Sequence, residues 1–464
     1  MLKDKRKELI NFIIANQSFL NTNAEASDIY EGNLLPYVDR ILKKSLSENY
    51  YNAIKDRILP INVLQKYINK VATAYSKPPK RDSENYQDFV DYYVKKFSMN
   101  QSGMVADQYS NLFKGFAWEP YIDSKGKPAI RELSFDKFLV YSDSEVSPEE
   151  ETIFLKLMGK KGDDMESMLV FAYTDTEFDA FYLDGSEASE YLVENQGLNS
   201  IGVIPFVYGK RQKNKLLPTL DSDMLAITKA IPVMLTDAEG AQMFQCFSIL
   251  YGIDVNADNI KMSPNAFWSL KSDPSSDKTP QVGSIKPEAD TEKVLAFITS
   301  VFVFWLETKG IRVGSLGQLD SSNLASGISK IIDEMDTYEL RKKSCEWFTK
   351  DEQELWNEKL PAIHNYWIKT GMLQDKNSPG ILPEGVEMDI VVEFEKPMPM
   401  LSRAEELANI EKELNMGTLD KRRAIKKLHP EMEENDIEEI LGQTQSLSEM
   451  VNNGMDQERN STTV

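Results

Sequence analysis

The sequence predicts an α+β protein, and three observations carry that prediction. Residues 1–114 place apolar side chains at helical spacing, residues 115–208 break into short β-branched and aromatic runs separated by turn residues, and residues beyond 218 return to long helical periods. At 464 residues, 41% hydrophobic and 10% aromatic, the chain is long enough for two or three domains around a sizeable core.

Taken in order, residues 3–16, 35–57 and 62–76 read as helices, the last stopped by Pro78-Pro79, which cannot continue one. Two more follow near 86–97 and 103–114. The runs "FAWEPYI", "KFLVYSD", "ETIFLKLMG", "SMLVFAYTD", "EFDAFYLDG" and "SEYLVEN" read as an antiparallel meander. Asp221 or Ser222 can cap the next helix, 222–247, in which Pro232 predicts a kink. Residues 250–290 are turn-rich and too long for an ordinary connection, so they read as a small subdomain with short strands. An apolar helix over 291–309 is followed by the polar stretch "RVGSLGQLDSSNLASGISKIIDEM", which opens as a Gly/Ser/Asn loop and becomes a helix over about 324–358. A strand at Met388–Glu395 precedes a helix that begins in the capping-box pattern Ser402-Arg-Ala-Glu405 and ends at Gly417. Shorter helices are predicted at 420–428 and 434–442, and residues 446–464 read as a disordered tail.

Charge and cysteine content narrow the function. With 53 Lys and Arg against 74 Asp and Glu, the formal charge is −21, which disfavours a protein that wraps nucleic acid by neutralising phosphates. It leaves room for one that lets a polyanion slide past. Two cysteines, Cys246 and Cys345, suit a reducing compartment better than a disulfide framework. The start, "MLKDKRKELINFII", reads as an amphipathic helix rather than a signal peptide, because Asn11, Asn16 and Gln17 interrupt its apolar run. The most apolar segment, Val294 to Leu306, falls short of the roughly 20 residues a membrane-spanning helix needs, so a soluble chain is expected.

That segment raises the central problem. It carries Phe297, Phe302, Phe304 and Trp305 around most of its circumference, between a polar subdomain and a polar loop. A helix apolar on every side needs cover all round. Either it is a central core helix, or neighbouring copies cover it, in a head-to-tail contact that closes into a ring or runs on as a filament.

Here the chain resembles a known family, the portal proteins of tailed bacteriophages. "LPINVLQKYINKVATAYSKPP" is similar to the family's early helix, and "GLNSIGVIPFVYG" to the strand before its first stem helix. "SNLASGISKIIDE" resembles the Ser-Gly start of its long helix, departing from the commoner pattern at Ile328-Ser329. "VEMDIVVEFEKPMP" and "ELNMGTLDKRRAIKKLHPEMEENDIEEIL" are similar to its closing strand and C-terminal Gly-then-helix signature. The resemblance runs in order from about residue 30 to 445. It implies a portal fold with a mainly helical stem and crown, an α+β wing and a small clip, assembled as a ring. On this chain the implied parts are a wing over 1–217, stem helices over 218–249 and 291–311, and a clip over 250–290. A tunnel loop over 312–323, a long helix and wing return over 324–400 and a crown-like region over 401–445 complete it.

The resemblance also implies partners. Family members are dodecamers at one capsid vertex of the virion, assembled in the host cytoplasm with major capsid and scaffolding proteins. The terminase large subunit drives double-stranded DNA through the ring, which later holds head-to-tail adaptor proteins; no membrane is involved. In the tunnel loop, Ser315, Gln318, Ser321, Ser322 and Asn323 would face DNA with short polar side chains, and Lys309 and Arg312 would form a sparse ring of charge. Phe267, Trp268 and Leu270 in the clip are candidate partner contacts, or else the clip's own small core. Phe297, Phe302, Phe304 and Trp305 are the expected intersubunit residues of the stem. The basic runs 209–215 and 420–427 could also meet phosphates, or be solvated faces.

Enzyme chemistry is thinly supplied. His364 and His429 lie in no recognisable acid/base or metal constellation, and no Gly-x-x-x-x-Gly-Lys-[Ser/Thr] loop occurs. No catalytic residue, metal or cofactor is expected. The alternatives are a metal-dependent enzyme using carboxylate clusters such as "DEMDTYE" and "EEETIF", and a monomeric capsid adaptor or scaffolding protein.

Overall fold

In the computed structural model the described residues are 2–159, 167–195, 201–246, 249–253, 281–285, 291–311, 338–383, 388–395, 403–417 and 419–428, with 437, 438 and 441. The chain is mixed helix and sheet, as the α+β expectation requires. It divides into two units, Met1–Pro397 and Met398–Val464.

The larger unit opens with helices α1 (Leu2–Ala15), α2 (Gln17–Tyr30), α3 (Leu35–Ser45), α4 (Glu48–Ile54) and α5 (Val63–Val71). The single helix expected over 35–57 is broken at Leu46, which adopts an extended conformation after the last turn of α3. Helix α2, "QSFLNTNAEASDIY", was not expected from the sequence. Its buried stripe, Leu20, Asn23, Ala26 and Ile29, includes one amide and one small residue, so the apolar period is faint. A short strand, β1 (Lys80–Asp82), precedes α6 (Gln87–Lys96) and α7 (Met99–Phe113).

The meander resolves into two sheets. Strands β2 (Gly115–Ile122), β3 (Pro128–Leu133) and β8 (Val207–Lys210) form one in the order β3-β2-β8. Strands β4 (Phe138–Tyr141), β5 (Ile153–Leu157), β6 (Leu169–Tyr173) and β7 (Phe178–Tyr182) form the other, antiparallel throughout. Every residue of β5 and β6 is buried, because α1 covers one face of this sheet while Phe206, Glu119 of β2 and Tyr191 meet the other. Alternate residues serve different cores: Leu155, Val170 and Ala172 pack with Leu9 and Ile13 of α1, whereas Phe154, Phe171 and Tyr173 join the main core. That double cover removes the polar alternation a half-exposed sheet would show. Lys156, buried in β5, is neutralised by Glu119 of β2 at 2.6 and 2.8 Å. "SEYLVEN", read from sequence as a strand, is instead helix α8 (Ser189–Asn195). It starts just past the bond from Ala188 N–H to Ala180 C=O and lays Tyr191 against Phe171, with ring centroids 5.4 Å apart.

Helix α9 (Ser222–Cys246) leads to β9 (Ile249–Ile253), which pairs antiparallel with β10 (Gln281–Ile285), and α10 (Thr291–Thr308) packs on α9. After α11 (Tyr338–Glu354) the helix runs on, past the end expected at about 358 or slightly beyond. Residues Leu355–Lys359 form a π turn and α12 (Leu360–Lys369) follows, so the wider turn precedes Pro361, whose ring would crowd a regular helix. Beyond it, Leu382 and Ile390 lie against this helical run. The Asn365 amide pairs with both backbone groups of Leu382, and the Asn357 amide pairs with both of Ile390. The expected strand at Met388–Glu395 is shorter, β11 (Val391–Glu393), and its partner is β1, an element the sequence did not announce.

In the smaller unit, α13 (Arg403–Asn415) ends before Gly417, which has φ +69°, and α14 (Lys421–Leu428) begins where Asp420 accepts from the N–H groups of Arg422 and Arg423. The helix predicted at 324–337, most of the clip, the helix at 434–442 apart from three residues, and the tail at 446–464 lie outside the described residues.

Candidate interaction surface

Helix α10 has two apolar faces with different fates. One carries Ile298, Phe302, Trp305 and Leu306, all buried in the main core with Met224, Ile227 and Ile231 of α9 and Tyr67 of α5. Trp305 stacks on Phe302 with centroids 5.7 Å apart and meets the Tyr67 ring at 4.9 Å. Phe302 and Trp305, expected between subunits, are therefore covered within their own chain. Helix α5, distant in sequence, and α9 together close this face.

The other face remains open. Phe297 and Phe304 are 59% and 68% exposed and Val294 is 37% exposed, with Val301 half-buried between them. Positions 294, 297, 301 and 304 follow a 3-4-3 spacing, which places all four on one stripe of the helix. Covering one such Phe is worth about 1–2 kcal/mol, given about 25 cal/mol per Å² of apolar surface. The spacing was legible in the sequence, but Phe302 and Trp305 hid it by filling the opposite face.

At the C-terminal end of α10, Lys309 is held rather than free. Its Nζ lies 2.9 Å from Asp223 and 3.2 Å from Asp221, and Lys114 reaches Asp221 at 3.0 Å. The Trp305 indole N–H donates to Asp223 at 3.1 Å. Burial opposes the Lys309 charge, yet the hydrogen bonds and charges of Asp223 and Asp221 outweigh it and raise the ammonium pKa. Burial likewise opposes the Asp221 carboxylate, and Lys114 and Lys309 outweigh it to lower that pKa. Lys309, expected to offer its charge to DNA, is engaged by two carboxylates that clamp the start of α9 to the end of α10. Asp221, Asp223 and Lys114 were not foreseen, because their convergence spans almost 200 residues of sequence.

Arg312, Ser315, Gln318, Ser321, Ser322 and Asn323 of the loop, and Phe267, Trp268 and Leu270 of the clip, lie outside the described residues. Within the basic run 209–215, Arg211 turns inward, 2.7 Å from Asp351 and over the Phe348 ring at 4.4 Å. His364 is fully buried, with Nδ1 2.7 Å from the Tyr93 hydroxyl and Nε2 3.0 Å from the Gly380 carbonyl oxygen; burial lowers its pKa. His429 lies outside the described residues. Among the described residues no group of three His, Cys, Asp or Glu side chains could hold a metal ion, and no helix is long and apolar enough to cross a membrane. The Cys345 thiol is free and buried. Comparison with known protein families and with curated proteins finds no match to this chain.

Proposed function

We propose that this chain is the subunit of a ring-shaped portal through which double-stranded DNA enters and leaves a viral capsid. The open stripe of α10 carries this reading. A helix that spends one face on its own core and keeps two phenylalanines in water has a partner still to meet, and a second copy supplies one without any further component. The ordered series of portal-like motifs supports the same reading. So does the path of the chain, out along α9, through the paired strands β9 and β10, and back along α10.

In this reading the net charge of −21 keeps DNA from adhering as it slides, and the ring works without catalysis of its own. Packaging is driven by the terminase large subunit, and adaptor proteins later occupy the clip. The burial of Phe302 and Trp305 favours a second reading, a monomeric adaptor that folds alone and meets the capsid through the same stripe. Native mass spectrometry of the purified full chain, with top-view electron micrographs, separates the two. A closed homo-oligomer with a central hole is expected, and a single chain at micromolar concentration would overturn the portal reading.

A further inference from the structure

We propose that the open stripe of α10 seats in the groove between α2, α3 and α9 of the next copy, so that each copy joins its neighbours through two different faces. This inference rests on the ring reading and names the surface that receives the stripe. The groove has a volume of about 590 Å³, and at Glu25 it meets a second hollow of about 430 Å³ lined by Asp28, Tyr37 and Arg40.

Its floor is made by α9. Ala226 and Ala230, one turn apart, leave depth where larger side chains would fill it, and Leu225 and Val233 make the surface apolar. Ile41 of α3 and Thr22 of α2 form the walls, and Lys229 pairs with Glu25 in the lining at 2.6 Å. The opposite side of α9, with Ile231 and Leu235, is buried in the core. The groove is therefore a second outward face on a helix whose core contacts are complete.

The stripe matches it in chemistry and scale. Phe297 and Phe304 stand two turns apart, roughly 10 Å along the axis, which suits an elongated apolar slot better than an isolated pocket. Within one chain α10 meets α9 through Ile298 and Phe302, which leaves the stripe exposed and the groove open.

Charge is complementary too. Glu307 is exposed one turn beyond Phe304, and Arg40 is exposed in the hollow adjoining the groove, where Glu25 is paired with Lys229 and Asp28 accepts from Asn33 and Tyr37; neither Glu307 nor Arg40 has an ion pair among the described residues. One copy thus offers one ridge ending in an acid and one groove edged by a base. Their union is head-to-tail, it consumes one of each per copy, and it leaves neither over when the ring closes.

The test uses the full chain with Cys246 and Cys345 replaced by serine. Ala226→Cys on the floor and Val301→Cys on the stripe, combined in one chain and oxidised, should give a ladder of covalent multimers on a non-reducing gel, whereas either single cysteine should stop at pairs. A ring of normal mass that yields no ladder overturns the docking surface and leaves the ring reading standing. A wild-type chain that stays single overturns both. As a second arm, Arg40→Glu or Glu307→Arg alone should raise the concentration for half-assembly about tenfold, and the two reversals together should restore it. Failure of the double reversal to restore assembly overturns the proposed pairing of the two faces.

Discussion

Glu352 shows how a single residue ties distant segments of this chain together. Fully buried, it accepts from Arg81 at 2.6 and 2.8 Å, from the Tyr75 hydroxyl at 2.7 Å and from the Trp356 indole at 3.0 Å. Glu352→Ala would leave the Arg81 charge buried without a counter-ion, at a cost of about 3–5 kcal/mol. Urea unfolding should show that loss, and the double variant Arg81→Met with Glu352→Leu should recover part of it. Asp107 behaves differently. It accepts from the Ala74 N–H at 2.7 Å and from Asn111 at 2.9 Å, but burial dominates and pushes its pKa up to about 6 from 3.8. A carboxyl whose pKa rises on folding stabilises below its unfolded pKa, and that contribution is lost as pH climbs through the folded value. Between about pH 3.8 and 6 the wild type should therefore lose up to about 3 kcal/mol relative to Asp107→Asn, with no further change above. Denaturation of the pair across that range measures it.

At the level of elements, close approach is set by what is missing. Gly103 sits inside α7, where glycine costs about 1 kcal/mol relative to alanine. A Cβ there would lie 2.3 Å from the Tyr75 ring, whose hydroxyl is pinned by Glu352 and whose faces meet Phe348 and Phe394. The ring cannot retreat. Gly103→Ala should thus lower stability by about 1–2 kcal/mol despite the gain in helix propensity, because overpacking costs more than the propensity returns. A rise in the unfolding midpoint would show that the ring has room to move. The backbone groups of Leu382 and Ile390 are likewise held by side chains standing in for a strand, Asn365 and Asn357, so a helix supplies what a sheet edge normally would.

For the whole molecule, the two faces of α10 separate folding from assembly. Phe302→Ala empties a fully buried site and should cost about 3–5 kcal/mol of monomer stability. Phe297→Ser and Phe304→Ser change exposed residues and should leave the unfolding midpoint within about 0.5 kcal/mol of wild type while shifting the assembly to single chains. Chemical denaturation at low protein concentration, paired with native mass, reads both effects. If the exposed pair destabilises the monomer as much as Phe302→Ala does, the stripe belongs to the fold and not to an interface.

By itself the sequence determined the α+β class, the strand-rich middle and the positions of the two long helices at 222–246 and 291–308, because apolar period and turn residues act locally. It also showed which segment is hardest to cover. It did not show α2, whose buried stripe includes Asn23 and Ala26, nor the division of the meander into two sheets, which depends on β8 returning to pair with the distant β2. Only the tertiary structure decided that Phe302 and Trp305 turn inward while Phe297 and Phe304 stay in water, and that Lys309 is claimed by Asp221 and Asp223. The physical reason is common to all of these. Periodicity says that a face is apolar, but which face meets which neighbour depends on side chains brought together from far apart in the chain.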